Sequence, residues 1–305
     1  MALPQIRVMY GHLEGTGGQF ARDPSGYVAI DAGVFGKHGL EVFWEHVQGT
    51  EERYRRLENG SAQISLVVGR ASLQHFLQSR TTKILGCAMN SCPYYLLVHS
   101  SIKKLSDLKG KTIACRAGPA RSAPLSEVLA KGAQLDPARE LTLFLPQSDL
   151  DAFTALVNGG AQAALLPRPY GFLAEEKGFV RIADWPDIVD DPLPITIETT
   201  ETLLRERRDE FAAFLAAHRE GIRLLKSRRA HTIEMLQTRF NHSPGLAAKT
   251  FDDYLVCLNE RLIVDSEKFR QLLSQIAPDR VAEARQIAFD WVMAGALAEE
   301  SSGVQ

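Results

Sequence analysis

Arginine residues recur in the loops that are predicted to follow three buried strands. Each loop comes directly after a short apolar run, and none of these loop stretches contains an acidic residue. The arginines are Arg70, Arg116, Arg121 and Arg168. A planar guanidinium matches a carboxylate or sulfonate and can bind it through two hydrogen bonds. The pattern predicts that at least two of the four line a cleft for a small anion. The alternative is that they face solvent or pair with Asp or Glu.

Further candidate residues lie in the same loops and where the chain is expected to cross between two lobes. In open α/β sheets, ligands bind beyond the carboxyl ends of the strands, where helix N-termini favour anions. Besides the arginines, the candidates are Gly11, His12, Gly69, Ala71, Asn90, Ser91, Gly118, Ser122, Tyr170 and Thr196. His12 has the chemistry of a general base or hydrogen-bond donor, and a purely structural histidine is the alternative.

Motifs for metal, nucleotide or Ser-His-Asp chemistry are missing from the sequence. No His, Cys and Asp residues have the spacing of a metal site. The stretch GTGGQF lacks the Lys-Ser/Thr of a P-loop. The cysteines are spread out without a CxxC pair, which favours buried structural thiols; they are Cys87, Cys92, Cys115 and Cys257. We expect neither a metal nor a cofactor.

The composition is typical of a globular protein that binds neither nucleic acid nor membrane. The chain has 305 residues, of which 45% are hydrophobic and 24% charged, and its net charge is −2. No apolar run reaches the length of a membrane-spanning helix. The N-terminal stretch reaches Arg7 without the apolar region of a signal peptide. We therefore expect a cytoplasmic protein, or a periplasmic one if this sequence lacks its leader.

Strands and helices are predicted to alternate over the first two thirds of the chain, which is typical of parallel α/β units. From Thr200 onward, the apolar spacing predicts helices only. Two stretches repeat each other: LENGSAQISLVVGR from Leu57 to Arg70 and LVNGGAQAALLPRP from Leu156 to Pro169. We interpret the repeat as one helix-to-strand unit used once in each of two lobes. Chance similarity between two helix-to-strand turns is the alternative.

Four stretches, in this order and spacing, resemble a known family. They are YVAIDAGVFGKHGLEVFWEHV, RLENGSAQISLVV, IKKLSDLKGKTIACR and DAFTALVNGGAQAALLPRPYGFLAEEKGF. The family comprises the type II periplasmic substrate-binding proteins of the nitrate/sulfonate/taurine group and their thiamine-pyrimidine-precursor relatives. The resemblance implies a two-lobed α/β fold with C-terminal helices packed on lobe one. Lobe one would hold residues 1–92 and 197–305, and lobe two residues 93–196. The crossovers would lie near residues 90–95 and 192–198.

The resemblance implies a protein that closes over a small anionic or heteroaromatic ligand, with an ABC permease as partner if it is exported. Some relatives are enzymes instead: an aromatic sulfinate desulfinase, a dihydroxyphthalate decarboxylase and enzymes of thiamine-pyrimidine synthesis. In an enzyme, Arg70 would orient the departing acid group, and His12 or Cys92 would deliver a proton. Two departures count against this alternative. Ala71 and Ser72 follow Arg70 where the desulfinase pattern has glycines, and the cysteine-rich motif of the fungal pyrimidine synthases is absent.

Overall fold

The computed structural model describes residues 2–11, 23–47, 49–117, 119–182, 188–189 and 192–293. Within these ranges, no helix combines the length and the apolar character needed to span a bilayer.

The described strands form two separate sheets. In chain order they are β1 (Gln5–Tyr10), β2 (Glu41–His46), β3 (Ile64–Val67), β4 (Thr82–Met89), β5 (Pro93–Val98), β6 (Thr112–Cys115), β7 (Thr142–Phe144), β8 (Ala163–Pro167), β9 (Val180–Arg181), β10 (Ile188–Val189) and β11 (Ile195–Thr200). The first sheet has the order β2-β1-β3-β11-β4, and the second has the order β10-β5-β8-β6-β7, with β9 also on β5. The parallel trios β2-β1-β3 and β7-β6-β8 make up the α/β part of each sheet.

The described helices cover both sheets and dominate the C-terminal third. They are α1 (Ser25–Asp31), α2 (Val34–Lys37), α3 (Thr50–Glu58), α4 (Gly69–Ser79), α5 (Pro119–Ala133), α6 (Pro137–Glu140), α7 (Asp149–Val157), α8 (Tyr170–Glu176), α9 (Glu201–Glu206), α10 (Arg208–Ser227), α11 (Arg229–Phe240), α12 (Pro244–Cys257), α13 (Ser266–Ile276) and α14 (Ala284–Trp291). Two short 3-10 helices span Leu105–Leu108 and Pro278–Glu283.

The chain passes between the sheets twice. It leaves the first sheet after Met89 and enters the second at Pro93, and it returns between Val189 and Ile195. The expected crossovers at residues 90–95 and 192–198 therefore extend into β5 and β11. Both strands are paired along their backbones, with β5 against β8 and β11 against β3 and β4. The predicted two-lobed α/β fold is confirmed.

The repeated sequence forms the same turn in each lobe. The C-cap residues of α3 and α7 are Asn59 and Asn158, whose φ/ψ angles are −88°/2° and −87°/5°. The next residues, Gly60 and Gly159, have φ angles of 73° and 77°. This left-handed conformation strains any residue with a Cβ atom and explains the glycine in each copy. The units lead into β3 and β8, one in each sheet, so the interpretation of the repeat is confirmed.

The glutamine in each copy of the repeat makes an equivalent hydrogen bond. The Gln63 side chain accepts a hydrogen bond from the Arg7 backbone N–H at 2.8 Å, beside the start of β1. The Gln162 side chain accepts one from the Thr112 backbone N–H at 3.0 Å, at the start of β6. Each amide therefore satisfies a backbone donor of the strand beside it. The shared glutamine is explained by equivalent strand pairing in the two lobes.

The C-terminal helices pack mainly on the first lobe. Side chains of α10, α11 and α12 share a core with α1 and the first sheet, and α13 and α14 cover the other face with α4. Helix α12 also reaches the second lobe, because Leu246 belongs to the core formed by Tyr95, Leu166 and Phe172. The predicted packing of the C-terminal helices on lobe one is confirmed, with α12 as an added link between the lobes.

Candidate functional site

At the carboxyl end of β1, a glycine lies over a buried arginine. A Cβ atom on Gly11 would come within 2.6 Å of the Arg53 Nη1 atom, so a larger residue here would have to displace the end of the Arg53 side chain. Arg53 donates hydrogen bonds to the Leu66 carbonyl at 3.4 Å and to the Thr50 hydroxyl at 3.2 Å. The sequence analysis did not single out Arg53. Its position four residues before the buried Leu57 is the signal that was missed.

Aromatic side chains gather at the same ends of β1 and β2. The Tyr10 ring lies 6.2 Å from Trp44, 5.8 Å from His46 and 5.9 Å from Tyr27. The hydroxyl groups of Tyr10 and Tyr27 are hydrogen-bonded to each other. Partial burial and the Arg53 guanidinium lower the pKa of His46, which favours the neutral ring. In this aromatic cluster Tyr10 is buried, Tyr27 and Trp44 are half-buried and His46 is exposed, so part of its flat surface reaches solvent.

A buried Asp–His–Ser set holds the start of α1. The Asp23 carboxylate accepts hydrogen bonds from the Ser25 N–H at 2.9 Å, the Ser25 hydroxyl at 2.5 Å and His218 Nε2 at 2.8 Å. Burial would raise the pKa of Asp23, but His218 and the Ser25 hydrogen bonds outweigh it and hold that pKa below its usual value. The His218 ring stacks between Trp44 and Phe214. This set ties α1 to α10 and was also missed, since its members are far apart in sequence.

The loop after β3 packs on the second crossing of the chain. The Gly69 N–H donates to the Leu193 carbonyl at 2.9 Å, and a Cβ on Gly69 would lie 2.5 Å from that oxygen. Arg70 donates a hydrogen bond to the Gln275 side chain on α13. Ala71 lies half-buried in the first turn of α4. The predicted ligand role of these three residues stays a prediction. The close packing against Leu193 by itself explains why a glycine is found at position 69.

Residues of the first crossing are tied to the C-terminal helices. The Asn90 N–H donates to the Cys257 carbonyl at 2.8 Å, and the Asn90 carbonyl accepts from Lys268. The Ser91 hydroxyl donates to the Cys257 sulfur at 3.5 Å. The Cys92 side chain is buried at 1% exposure. This crossing is therefore braced by α12, and its buried thiol is poorly placed to protonate a ligand in the form described here.

In the second lobe, Arg116 follows β6 and lies across the strand ends. Its Nε donates to the Gln147 carbonyl at 3.1 Å, and its Nη1 lies 3.8 Å from the carboxylate of Asp149. Asp149 is 1% exposed and accepts a hydrogen bond from the Tyr94 hydroxyl at 3.4 Å. The Arg116 side chain is 23% exposed, so solvent reaches it.

Arg168 follows β8 and is buried against α12. It forms an ion pair with Asp253, with side-chain exposures of 2% and 8%, and its guanidinium lies 5.2 Å from the Tyr254 ring centre. The Asp253 carboxylate also accepts a hydrogen bond from the Tyr95 hydroxyl at 3.3 Å. Burial would lower the pKa of Arg168, but the negative charges that surrounding groups carry at high pH, Cys92 and Cys257 first, outweigh it and raise that pKa. Arg168 therefore fits the alternative given in the sequence analysis, in which an arginine pairs with Asp or Glu. The acidic residue that pairs with it lies far away in the sequence.

The remaining candidates are scattered. Tyr170 is buried at the start of α8 and packs on Phe153, with ring centres 5.4 Å apart. Ser122 is half-buried in α5. Thr196 lies inside β11, where its hydroxyl donates to the Val67 carbonyl at 2.9 Å. Of the others, His12 and Gly118 lie outside the described residues, and Arg121 is described only as part of α5.

Comparisons with known proteins identify relatives of the whole chain. A family model described as "NMT1/THI5 like" matches residues 25–228, which is more than half of the sequence. No curated protein matches the chain. The similar solved structures include sulfonate- and nitrate-binding proteins with 10–18% identity to this chain, and such low identity shows the fold alone.

Three of these structures cover nearly all of the chain. The alkanesulfonate-binding protein SsuA from Xanthomonas axonopodis pv. citri, bound to MOPS, is 18% identical, with 98% of this chain and 99% of that chain covered and a TM-score of 0.64. The periplasmic aliphatic sulphonate-binding protein SsuA from Escherichia coli is 17% identical, with 94% and 95% covered and a TM-score of 0.67. The periplasmic nitrate-binding protein NrtA from Synechocystis PCC 6803 is 10% identical, with 94% and 88% covered and a TM-score of 0.61.

Proposed function

This chain belongs to the NMT1/THI5-like family, and on that premise we propose that it is a binding protein that closes two lobes over a small molecule. The observation that carries the proposal is the pair of equivalent helix-to-strand units, one in each sheet, joined by two crossings of the chain. Parallel strands of both sheets present their carboxyl ends as the place for a ligand. The lobes are proposed as residues 1–92 with 197–305, and 93–196.

Two ligand classes fit the described side chains. The exposed part of Arg116 favours a sulfonate or carboxylate, as do the names of the similar solved proteins. The aromatic cluster of Tyr10, Tyr27, Trp44 and His46 favours a heteroaromatic ring. One ligand that carries both groups would satisfy both lobes at once.

A binding role is favoured over the enzyme alternative. The proposed proton donor Cys92 is 1% exposed and lies beside the Arg168 ion pair, while Arg70 contacts α13 on the first lobe. The named solved relatives are binding proteins. By analogy with them, we propose a periplasmic location and an ABC-type permease as the partner that receives the ligand.

A thermal-shift screen tests the binding function. The panel contains alkanesulfonates including MOPS, small carboxylates, nitrate and pyrimidines, each measured against sodium chloride at equal ionic strength. A ligand that binds only the folded protein raises its Tm by mass action, and calorimetry then gives the Kd. A true ligand should bind with one-to-one stoichiometry. A panel without any saturable stabilisation would remove support for these ligand classes.

A further inference from the structure

The Arg168–Asp253 ion pair joins residues from opposite lobes. Arg168 comes from the second lobe, directly beyond the carboxyl end of β8. Asp253 comes from α12, whose Phe251, Tyr254 and Cys257 belong to the core of the first lobe. The pair is therefore an interaction between lobes, at the edge of the sheet where ligands of such folds bind.

Helix α12 reaches this position because both lobes hold it. At its start, the Ser243 hydroxyl donates to Glu176 at 3.2 Å, and Lys249 pairs with Glu175 at 2.9 Å. Both acidic residues lie in α8, which follows Arg168 in the chain. The carboxylate of Asp253 is thus fixed next to Arg168 by contacts on the second lobe as well as the first.

The pair has the chemistry expected between an arginine and a bound acid. Two oppositely charged groups at 2% and 8% exposure are costly to desolvate and need close partners. The carboxylate has further donors in the Tyr95 hydroxyl at 3.3 Å and the Cys257 thiol at 3.6 Å. Arginine, phenol and thiol together form a preorganised receptor for one carboxylate, and that carboxylate belongs to the protein.

On the basis of the proposed binding function, we propose that Asp253 is a specificity-determining residue. Its carboxylate occupies the position next to Arg168 that the acid group of an anionic ligand would otherwise occupy. Arg168 then holds α12 and the second lobe together and does not select the ligand by charge. A ligand of this protein therefore has no acid group in the part of the cleft next to the carboxyl end of β8. Any acid group that it carries is recognised elsewhere, with Arg116 as the described candidate.

Chemical rescue of Asp253→Ala tests the proposal. Removing the side chain leaves a cavity beside a buried cation, which an added small oxyanion can fill. The Tm is measured in sodium formate, sodium methanesulfonate and sodium chloride at equal ionic strength. We expect the variant to be destabilised in chloride and to regain stability with rising formate, in a saturable manner. The wild type is measured in the same salts as the reference, and the stabilisation by formate should be larger in the variant than in the wild type.

The matched control lies one position earlier on the same helix. Asp252 pairs with Arg229 on the surface, with side-chain exposures of 60% and 50%. Asp252→Ala makes the same change in charge and should lose little stability and show no preference for formate. The double variant Arg168→Met with Asp253→Leu removes the receptor and should also show no preference.

Asp253→Ser serves as a second rescue variant if the alanine variant does not fold in chloride. Equal Tm values for Asp253→Ala in formate and chloride would overturn the proposal and leave the pair as a brace between lobes. An unchanged Tm in chloride, or failure of both variants to fold even in formate, would equally overturn it. Because the readout is the difference between the variant and the wild type in the same salts, binding of formate at any other site cancels, and this result is independent of the ligand screen.

Discussion

Arginines at the strand ends of the second lobe differ in how far solvent reaches them. Arg168 is 2% exposed and paired with Asp253, whereas Arg116 is 23% exposed and lies 3.8 Å from Asp149. A contact of that length is looser than a direct hydrogen bond, so a ligand can compete for Arg116 at lower cost. Among the described arginines of the sequence pattern, we therefore propose Arg116 as the one that recognises an acid group in this lobe.

Replacement of Arg116 by alanine should weaken the binding of an anionic ligand. We expect a loss of about 1.5–3 kcal/mol, the range for hydrogen bonds to charged groups. The control is Arg139→Ala, because the Arg139 side chain is 86% exposed on α6. Calorimetric titration of both variants with the best anionic compound checks the prediction. Equal Kd values for the two variants would exclude Arg116 from the site.

Glu198 is a buried carboxyl group in the first lobe, away from the strand ends. It lies on β11 at 0% exposure, among the hydroxyl groups of Tyr54, Ser72 and Thr82. Burial raises the pKa of Glu198 to about 7, and the hydroxyls and Arg53 oppose the rise only in part. The folded protein therefore holds this proton more tightly than the unfolded chain does.

The stability of the protein should depend on pH through Glu198. Because the pKa of Glu198 is raised in the folded state, its protonated carboxyl group stabilises the folded protein fully below the pKa of the unfolded chain, near pH 4. This contribution to stability is lost as the pH rises to about 7. Glu198→Gln does not titrate, so it should gain up to about 3 kcal/mol over the wild type between pH 4 and pH 8. Urea unfolding at several pH values measures the difference. The exposed Glu201→Gln is the control, and a difference independent of pH would contradict the prediction.

At the scale of the elements, the repeated turn shows which features the sequence predicts well. Asn-Gly after a helix has a local cause, the left-handed conformation of the glycine. The glutamine that follows is also part of the repeated pattern, although its hydrogen-bond partner lies 56 or 50 residues earlier, on the neighbouring strand. Asp23 with His218 and Arg168 with Asp253 join positions 195 and 85 residues apart. No local pattern specifies such pairs, because they form only when the C-terminal helices fold back on the lobes.

The two turn glycines should respond equally to substitution. Gly60→Ala and Gly159→Ala each place a Cβ atom in a left-handed conformation, although no atom lies within 4 Å of the new methyl group at Gly60. We expect each to lose about 1 kcal/mol of stability. Gly36→Ala in α2 is the control, since it also has open space but no positive φ, and it should not destabilise. Denaturant unfolding gives the three values. A loss at only one of the two turns would argue against their equivalence.

At the scale of the whole molecule, the lobes are connected by more than the two crossings. The two-lobed fold was predicted from the repeat and the family resemblance. The contact of α12 with both lobes was not predicted. Its apolar spacing is that of any amphipathic helix and does not indicate which elements it packs against. With α12 in contact with both lobes, closure must preserve or rearrange its contacts with α8 and Arg168.

The most direct test of whether this protein closes over a small molecule is small-angle scattering. It is measured with and without a saturating concentration of a ligand found in the screen. Hinge closure brings the lobes together, so the radius of gyration should fall when ligand is added. The Arg116→Ala variant, at a concentration of anionic ligand that leaves it unoccupied, should keep the radius of the free protein. An unchanged radius for the wild type with its site saturated would contradict closure.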